Sequence, residues 1–494
     1  MATTTASNLE KQAHPVPEIL VGAARYRGWE RTRPPLSRRF ERTLTFVEFI
    51  ADFAAVFAAT MISLSLSGWW GLDLRVSAPS QFTVGLGIGI LFVLLLDREG
   101  AYRRGNGLLR VKETEQVLRA ASQTGLLVFA TTVWVGPKHS LWLILAGLLI
   151  VCVVVITEKQ LVYGAVRKLH ELGWGVRKVI IYGAGSTGRL VFGALARSPK
   201  LGLDPVAFVD DNPSVGRVYA PSYRRERSAP VRPGPLTKEL VQELDASMVV
   251  LAIPSFSREK FLQALGETTS AGVKFAFVPG HYVSSEFWTE HTDIDGQLLA
   301  TFSGPAERHL YAFSKRALDL VVSLALLALC FPLWLVLAIL IRLDSPGPVL
   351  FVQKRVGKDG RLFDLFKFRT MYTEAPVYSY SPLTSQDPRI TRVGRFLRRT
   401  SLDELPQLIN VLRGEMSLVG PRPEMPFIVE RYLPKHRLRL HVKPGLTGLW
   451  QISADRALLI HENIEYDLYY IRNRSFFMDV AILLHTLLFA MRGI

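Results

Sequence analysis

Cysteine is nearly absent from this 494-residue chain, which has only Cys152 and Cys330. Both fall inside apolar runs, so the count and placement exclude a disulfide framework or a zinc site. Acidic residues are also scarce, 43 against 59 Lys and Arg, leaving a formal charge of +16. A secretory signal is missing too. The first forty residues are polar, Arg25, Arg27, Arg31, Arg33, Arg38 and Arg39 crowd toward their end, and no short apolar segment precedes a small-residue cleavage site. They read as a basic tail. Nothing resembles a zinc finger, a helix-turn-helix or an aromatic RNA platform, so the charge does not imply a nucleic-acid partner. What the chain has in abundance is apolar surface, 49% hydrophobic residues with a positive mean hydropathy. Together with the basic charge, this points to a membrane protein whose Lys and Arg face anionic headgroups.

Four apolar stretches, roughly 45–66, 82–96, 120–135 and 141–156, come near the length a bilayer core requires, the second being short. Basic residues orient them. The tail precedes the first stretch; Arg98, Arg103, Arg104, Arg110 and Lys112 lie in the 97–116 connection; Lys159, Arg167 and Lys168 follow the fourth. The other two loops hold only Arg75 and Lys138. Both ends of this four-span unit are therefore expected on the cytoplasmic side. Glu48 and Asp52 lie one helical turn apart in the first span, where pairing inside the bundle or an intramembrane function would each explain them.

A water-soluble stretch, roughly 177–304, opens with Lys178-Val-Ile-Ile-Tyr-Gly-Ala-Gly-Ser-Thr-Gly188. A β-branched strand thus runs into a Gly-x-Gly-x-x-Gly turn. Further strands are expected at 205–209, 247–253 and 273–278. Strand, glycine turn and helix in that order suggest a Rossmann-like βαβ start, with Gly183, Gly185 and Gly188 near a nucleotide and Asp210 as its ribose acid. The same glycines also suit a tight turn with close helix–strand packing and no ligand. Residues 221–235, rich in Arg and Pro, read as a surface loop.

From 318 to 341 the chain is again apolar, with Lys315-Arg316 before it and Arg342 after it. A full crossing would put everything beyond it outside the cell. Yet residues 352–443 hold eighteen Lys and Arg against nine Asp and Glu, a balance that favours the cytoplasm. Pro332 sits mid-run, where it removes a helix hydrogen bond. A re-entrant helix over 315–341 that breaks near Phe331-Pro332 and returns to the same face satisfies both flanks.

Three clusters beyond this helix share one chemical theme. The first is Ser345-Pro-Gly-Pro-Val-Leu-Phe-Val-Gln-Lys-Arg-Val-Gly357 with Phe366-Lys-Phe-Arg-Thr-Met371. The second runs from Asp387 to Leu408 and contains Arg398-Arg-Thr-Ser-Leu-Asp-Glu-Leu-Pro-Gln407. The third is Met416-Ser-Leu-Val-Gly-Pro-Arg-Pro423, followed by Lys443-Pro-Gly-Leu-Thr-Gly-Leu-Trp-Gln451. Cations mixed with Gly and Pro suit fixed loops that surround phosphates. Among them stands one adjacent acid pair, Asp403-Glu404. A carboxylate there can serve as a nucleophile toward phosphorus, and an N-terminal cap on the following helix is the structural alternative.

Ser401-Leu-Asp-Glu-Leu-Pro-Gln, Lys-Phe-Arg-Thr-Met and Ser-Leu-Val-Gly-Pro-Arg-Pro closely resemble the bacterial sugar transferase family, the monotopic polyprenyl-phosphate phosphoglycosyl transferases. The motifs cover roughly 315–494; the front half is similar in architecture only. The resemblance implies an α-helical four-span bundle (43–157) after a basic tail (1–42). A Rossmann-like middle domain (158–306) and an α/β catalytic domain at the cytoplasmic face of the inner membrane (307–494) follow. It implies attack by Asp403 on the β-phosphate of a UDP-sugar, loss of UMP and transfer of sugar-1-phosphate to undecaprenyl phosphate, with Mg²⁺ assisting. Glu404 would partner Asp403 at the metal. Arg398 would hold phosphate, Lys315 and Arg316 would meet the carrier's phosphate, and Arg355, Lys367, Arg369 and Arg422 would contact phosphate or uridine.

Some readings stay open. Arg437 and Arg439 suit anionic lipid. Residues 476–491, apolar at helical spacing, fit burial, lipid contact or a homodimer interface alike. The Glu465-Tyr-Asp-Leu-Tyr-Tyr-Ile-Arg-Asn473 segment resembles the exopolysaccharide-initiating group, which favours glucose over galactose. A non-catalytic assembly scaffold is the rival from another class. Taking the glycine turn at face value gives a third reading, a membrane-bound nucleotide-sugar dehydrogenase or epimerase; the epimerase is disfavoured, because Tyr163 and Arg167 precede the glycine turn where its Tyr-x-x-x-Lys should follow.

Overall fold

The computed structural model describes residues 36–67, 78–102, 110–135, 141–197, 202–220, 227–253, 256–278, 288–294, 297–303, 309–375, 387–432, 434–452 and 464–491. The start of the basic tail, Arg75 and Lys138 lie outside the described residues. Long apolar runs without internal Pro or polar breaks form helices because every backbone group is then satisfied within the segment. Four result: α1 (Leu36–Ser67), α2 (Ala78–Arg98), α3 (Arg110–Val135) and α4 (Leu141–Glu171). Helix α1 packs on α2 and α4, and α3 packs on α2 and α4, closing a four-helix bundle. Asp52 faces its interior, fully buried, and accepts from Lys159 at 2.6 Å and the Tyr102 hydroxyl at 2.8 Å. Of the two explanations for that acid, pairing inside the bundle accounts for it.

Among the described residues, the four helices long and apolar enough to cross a membrane are not quite the expected four. They are 43–66, 80–98, 144–170 and the later 309–344. Helix α3 falls short because its first third, Arg110–Arg119, is polar. Its apolar remainder, 120–135, reaches only about 24 Å at 1.5 Å per residue. The polar third is used elsewhere, as described below.

The next elements are β1 (Arg177–Tyr182), α5 (Ser186–Arg197), β2 (Leu203–Asp210), β3 (Arg217–Ala220), β4 (Arg227–Pro233), α6 (Lys238–Glu243), β5 (Met248–Leu251), α7 (Arg258–Ser270) and β6 (Lys274–Phe277). They form a six-stranded sheet in the order β3-β4-β2-β1-β5-β6, parallel except for β3. Alternate side chains separate its faces. Ile181 and Phe208 pack against Phe192 of α5, while Ile180, Tyr182 and Val209 pack against Val241 of α6 and Ala264 of α7. The expected surface loop at 221–235 is corrected here: residues 227–233 are strand β4, paired on both sides. Ala229 and Val231 point inward and Ser228 and Arg232 outward, a period-two pattern that the Arg and Pro content conceals. An antiparallel hairpin, β7 (Trp288–Ile294) and β8 (Gln297–Ser303), follows.

Helix α8 (His309–Asp344) spans 36 residues and leads into hairpin β9 (Leu350–Val356) and β10 (Leu362–Phe368), then α9 (Arg392–Thr400) and α10 (Gln407–Arg413). Strand β11 (Ser417–Val419), α11 (Pro426–Val429), α12 (Pro434–Arg437), strand β12 (Gly445–Thr447), α13 (Ile464–Asn473) and α14 (Phe476–Met491) complete the chain. Contrary to the expected break, α8 is helical through Pro332 without interruption. One missing N–H leaves the neighbouring turns their own bonds.

The first turns of α8 are pinned by polar contacts. Lys315 donates to Asp479 at 3.0 Å, the Val419 carbonyl at 2.9 Å and the Tyr470 hydroxyl at 3.1 Å. Arg316 donates to the Val411 and Leu412 carbonyls at the end of α10, at 2.7 and 2.8 Å. Asp319 accepts from Ser417 Oγ at 3.0 Å and Leu418 N at 2.9 Å. The far end is held by Leu337 and Ile341, which pack on Phe368 and Leu397, and by Asp344, which accepts from Val393 N at 2.9 Å. Between the two ends, Leu329 and Phe331 stand exposed at 77% and 60%.

For 476–491, burial accounts for one face of the helix. Met478, Ala481 and Ile482 are fully buried in the core shared with β11, while Leu487 remains exposed. The polar start of α3 docks against the same helix. Thr114 meets His485 at 2.9 Å, Glu115 accepts from Ser475 Oγ at 2.7 Å, and Arg119 lies 5.3 Å over the Phe477 ring.

Asp479 is the fully buried partner of the Lys315 ammonium, and removing one member of such a pair costs about 3 kcal/mol. Asp479→Ala should therefore lower the unfolding temperature of the full chain in detergent by several degrees, and adding Lys315→Met should recover part of the loss. An Asp479→Ala protein that melts with the wild type would show that this pair does not anchor α8.

Candidate active site

Five motif side chains converge where β10, α9, α10 and the loop after β11 meet. Strand β10 delivers Lys367, and Thr370 follows it. Helix α9 is capped by Thr391, whose Oγ1 accepts from Gly394 N at 2.9 Å. A side chain at Gly394 would run into the Thr370 carbonyl oxygen, so glycine lets α9 cross the strand exit in contact. That crossing places Arg398, whose Nε donates to Thr370 Oγ1 at 3.0 Å. Ser401 ends α9 in the left-handed region, φ 56°, and the chain turns directly into the short 3₁₀ turn Leu402–Glu404. Asp403 is buried there at 8% exposure. Glu404 meets Lys367 Nζ at 2.7 Å and Arg422 at 3.5 Å.

The two carboxyls are driven apart in acidity. Burial pushes Glu404 up, but Lys367 and Arg422 outweigh it and hold the group at about 2. Burial also pushes Asp403 up, and the neighbouring Glu404 charge adds to that; Lys367, Arg398 and Arg422 do not reverse it, and Asp403 stays above its usual range. One carboxylate is thus fully charge-compensated and the other is under-solvated and more basic. This suits Asp403 to attack an electrophile and Glu404 to orient cations.

Other motif residues go elsewhere. Arg355 reaches the rim, its Nη1 donating to the Pro423 carbonyl at 3.3 Å and its Nη2 to Gln353 at 2.7 Å. Arg369 is buried and donates to the carbonyls of Ser345 and Pro346, clamping that turn. Lys315 and Arg316 bond the protein atoms already described and are not gathered with Asp403. In the middle sheet, Gly183 adopts φ +112°, and a side chain at Gly188 would strike the Gly183 carbonyl oxygen. Asp210 turns both its oxygens to backbone, accepting from Ala184 N at 2.7 Å and Asn212 N at 3.0 Å. Turn geometry therefore accounts for Gly183, Gly188 and Asp210.

Arg439 is a correction. It does not lie against lipid but is buried at 4%, paired with Asp467 at 2.8 Å and donating to the Tyr432 hydroxyl at 2.6 Å. Its Nη2 donates to the Arg422 carbonyl at 3.1 Å, so it fixes the backbone that carries Arg422 toward Glu404. The two partners lie far apart in the chain, and no local pattern joins them.

For a divalent cation, the donors on offer are the Asp403 and Glu404 carboxylates. Among the described residues no group of three or more His, Cys, Asp and Glu forms a cage. Mg²⁺ is ordinarily held by one or two carboxylates together with substrate phosphates, so this pair fits such an ion shared with a bound diphosphate.

The raised Asp403 carboxyl has a consequence for stability. A raised folded-state value favours the protonated form, so its stabilisation is present at low pH and is lost as pH rises through that value. At neutral pH the wild type carries the penalty of a buried anion. Asp403→Asn should therefore melt at a higher temperature than the wild type at pH 7 to 8, the gain shrinking toward zero below the usual carboxylate range. Thermal unfolding across pH checks this, and an Asn variant less stable at pH 8 would contradict it.

Comparison with known proteins gives a consistent picture. The model of the bacterial sugar transferase family matches residues 310–493. The undecaprenyl-phosphate galactose phosphotransferase of Salmonella typhimurium is 33% identical over 345 residues, 64% of this chain and 69% of that one. The undecaprenyl-phosphate glucose phosphotransferase of Komagataeibacter xylinus is 46% identical over 189 residues, 35% of each chain. The UDP-N-acetylgalactosamine-undecaprenyl-phosphate N-acetylgalactosaminephosphotransferase of Aeromonas hydrophila is 37% identical over 248 residues, 48% of this chain and 58% of that one. The last two are matched over less than two thirds of their own length.

Proposed function

Because this chain belongs to the bacterial sugar transferase family, we infer that it transfers hexose-1-phosphate from a UDP-sugar to undecaprenyl phosphate and releases UMP. The observation that carries this reading is the pair of buried Asp403 and half-buried Glu404, with opposite shifts, inside Lys367, Arg398 and Arg422. Phosphoryl transfer depends mostly on positioning and charge neutralisation, and this arrangement supplies both.

In the proposed reaction an Asp403 oxygen forms a bond to the sugar-bearing phosphorus as the bond from that phosphorus to UMP breaks. UMP leaves with the electron pair, its charge met by Arg398 and Arg422. An oxygen of undecaprenyl phosphate then attacks the same phosphorus and the Asp403 carboxylate departs, leaving a diphosphate-linked lipid. Asp403 is the nucleophile because its anion is the less stabilised of the pair. Glu404, held ionised by Lys367, keeps Lys367 and Arg422 in place. Mg²⁺, bound by the two carboxylates and the diphosphate, would supply further neutralisation of the phosphate charge.

The membrane arrangement follows the same reading. Both ends of α8 pack on one body: Arg316 on α10, and Ile341 on Phe368 and Leu397, with Leu405 touching the cores at both ends. A straight helix of 36 residues would be about 54 Å long. We propose that α8 bends at Pro332, enters one leaflet of the inner membrane and returns, with the catalytic part (307–494) on the cytoplasmic face. The parallel sheet within 158–306 is proposed as a Rossmann-like domain with a structural or regulatory role, and 43–157 as the membrane bundle. Glucose and galactose are the sugars proposed, glucose first.

Asp403→Asn should reduce UMP release from UDP-glucose or UDP-galactose, with undecaprenyl phosphate and Mg²⁺, by at least about a thousandfold. Wild type given labelled UDP-sugar without carrier should retain the sugar phosphate on the protein, and the variant should not. Turnover by Asp403→Asn near the wild-type rate would sink the covalent route. For topology, Ala312→Cys and Lys358→Cys should each react only with a membrane-permeant reagent in intact cells. Labelling of either one from outside would make α8 a full span.

A further inference from the structure

A second basic centre lies apart from the acid pair. A cavity of roughly 520 Å³ is lined by Lys315, Arg316, Lys358, Lys443 and Arg474, with Asp319 the one carboxylate among its lining residues. That carboxylate is buried and already accepts from Ser417 and Leu418. Lys315 is satisfied by Asp479, and Arg316 by two carbonyls, which carry no full charge. Lys358 is exposed and 4.0 Å from Asp359. Lys443 is the informative member. It is half-buried, and Asp319, already bonded to Ser417 and Leu418, is the one carboxylate whose charge reaches it. Burial lowers its proton affinity, and the charges of Arg316, Lys358 and Lys315 lower it further; Asp319 acts the other way and does not reverse them.

Drawing like charges together while removing water from one of them is unfavourable unless an anion enters. We propose that this cavity binds a phosphate group that does not react, held by Lys443 and Lys358 and by the field of Arg316 and Arg474. None of its lining residues contacts Asp403 or Glu404. Lys367, Arg398 and Arg422, which surround that pair, are also absent from the lining, so a phosphate seated here is not the one that Asp403 would attack. Leu310 and Phe313, 88% and 76% exposed on the same turns of α8, place apolar surface beside the cavity, the pairing that a phospholipid headgroup and its chains would meet. A soluble phosphate offers the same oxygens without the chains.

Thermal-shift titrations of the full chain in detergent separate these sources, using inorganic phosphate, dioctanoyl phosphatidylglycerol and dioctanoyl phosphatidylcholine. Saturable stabilisation is expected, with the dissociation constant weakened about tenfold in Lys443→Gln and in Lys358→Gln and unchanged in Arg422→Ala. Saturation by inorganic phosphate alone identifies a soluble anion, and a response to phosphatidylglycerol without one to phosphate identifies a headgroup; both support the site. Without ligand, Lys443→Gln should melt no lower than the wild type, since it relieves repulsion. No saturable response, equal binding of phosphatidylcholine, loss of binding in Arg422→Ala instead, or a ligand-free melting temperature of Lys443→Gln below the wild type would each overturn the proposal.

Discussion

The grip of α8 on α10 and β11 is the constraint on which the rest depends. A helix mostly made for lipid has no reason to hold a fixed position on a small α/β body, because apolar side chains pack against tails as readily as against protein. Lys315, Arg316 and Asp319 remove that freedom. Arg316 closes the carbonyl end of α10, where the helix dipole is negative and the last carbonyls lack partners. Asp319 accepts from the backbone of β11. The chain before α10 carries Asp403-Glu404, and the loop after β11 carries Arg422. One helical face therefore sets both halves of the candidate site.

Much of that site was legible because its residues lie in short motifs that concentrate cations around one acid pair. Lys367, Arg398, Asp403, Glu404 and Arg422 all arrive together. Their division of labour was not legible. Whether a motif arginine faces phosphate or clamps a turn depends on carbonyls that only the fold supplies, as Arg369 shows with Ser345 and Pro346. Arg439 was hidden for a related reason. Beside Leu438 and Leu440 it resembles a lipid-facing stripe, and its partner Asp467 enters from another helix. In the middle sheet, β4 was obscured because Arg and Pro outnumber the two small apolar residues that point inward. In the bundle, α3 kept its place as a helix, but its polar third serves the contact with α14.

The opposite shifts of Asp403 and Glu404 show how adjacent acids can acquire different roles without different chemistry. Both are withdrawn from water, which raises both. Direct contact with Lys367 then reverses the effect for Glu404 alone, and the ionised Glu404 raises Asp403 further. Mutual repulsion is thus part of the device: it holds one carboxylate basic while the other holds the cations. If Lys367 bonded Asp403 instead, the first carboxylate would lose basicity and the second would be driven toward its protonated form. The 2.7 Å contact between Lys367 and Glu404 therefore distinguishes the proposed nucleophile from its neighbour, and the register of β10, which places Lys367, is as much a part of the candidate chemistry as the acids themselves.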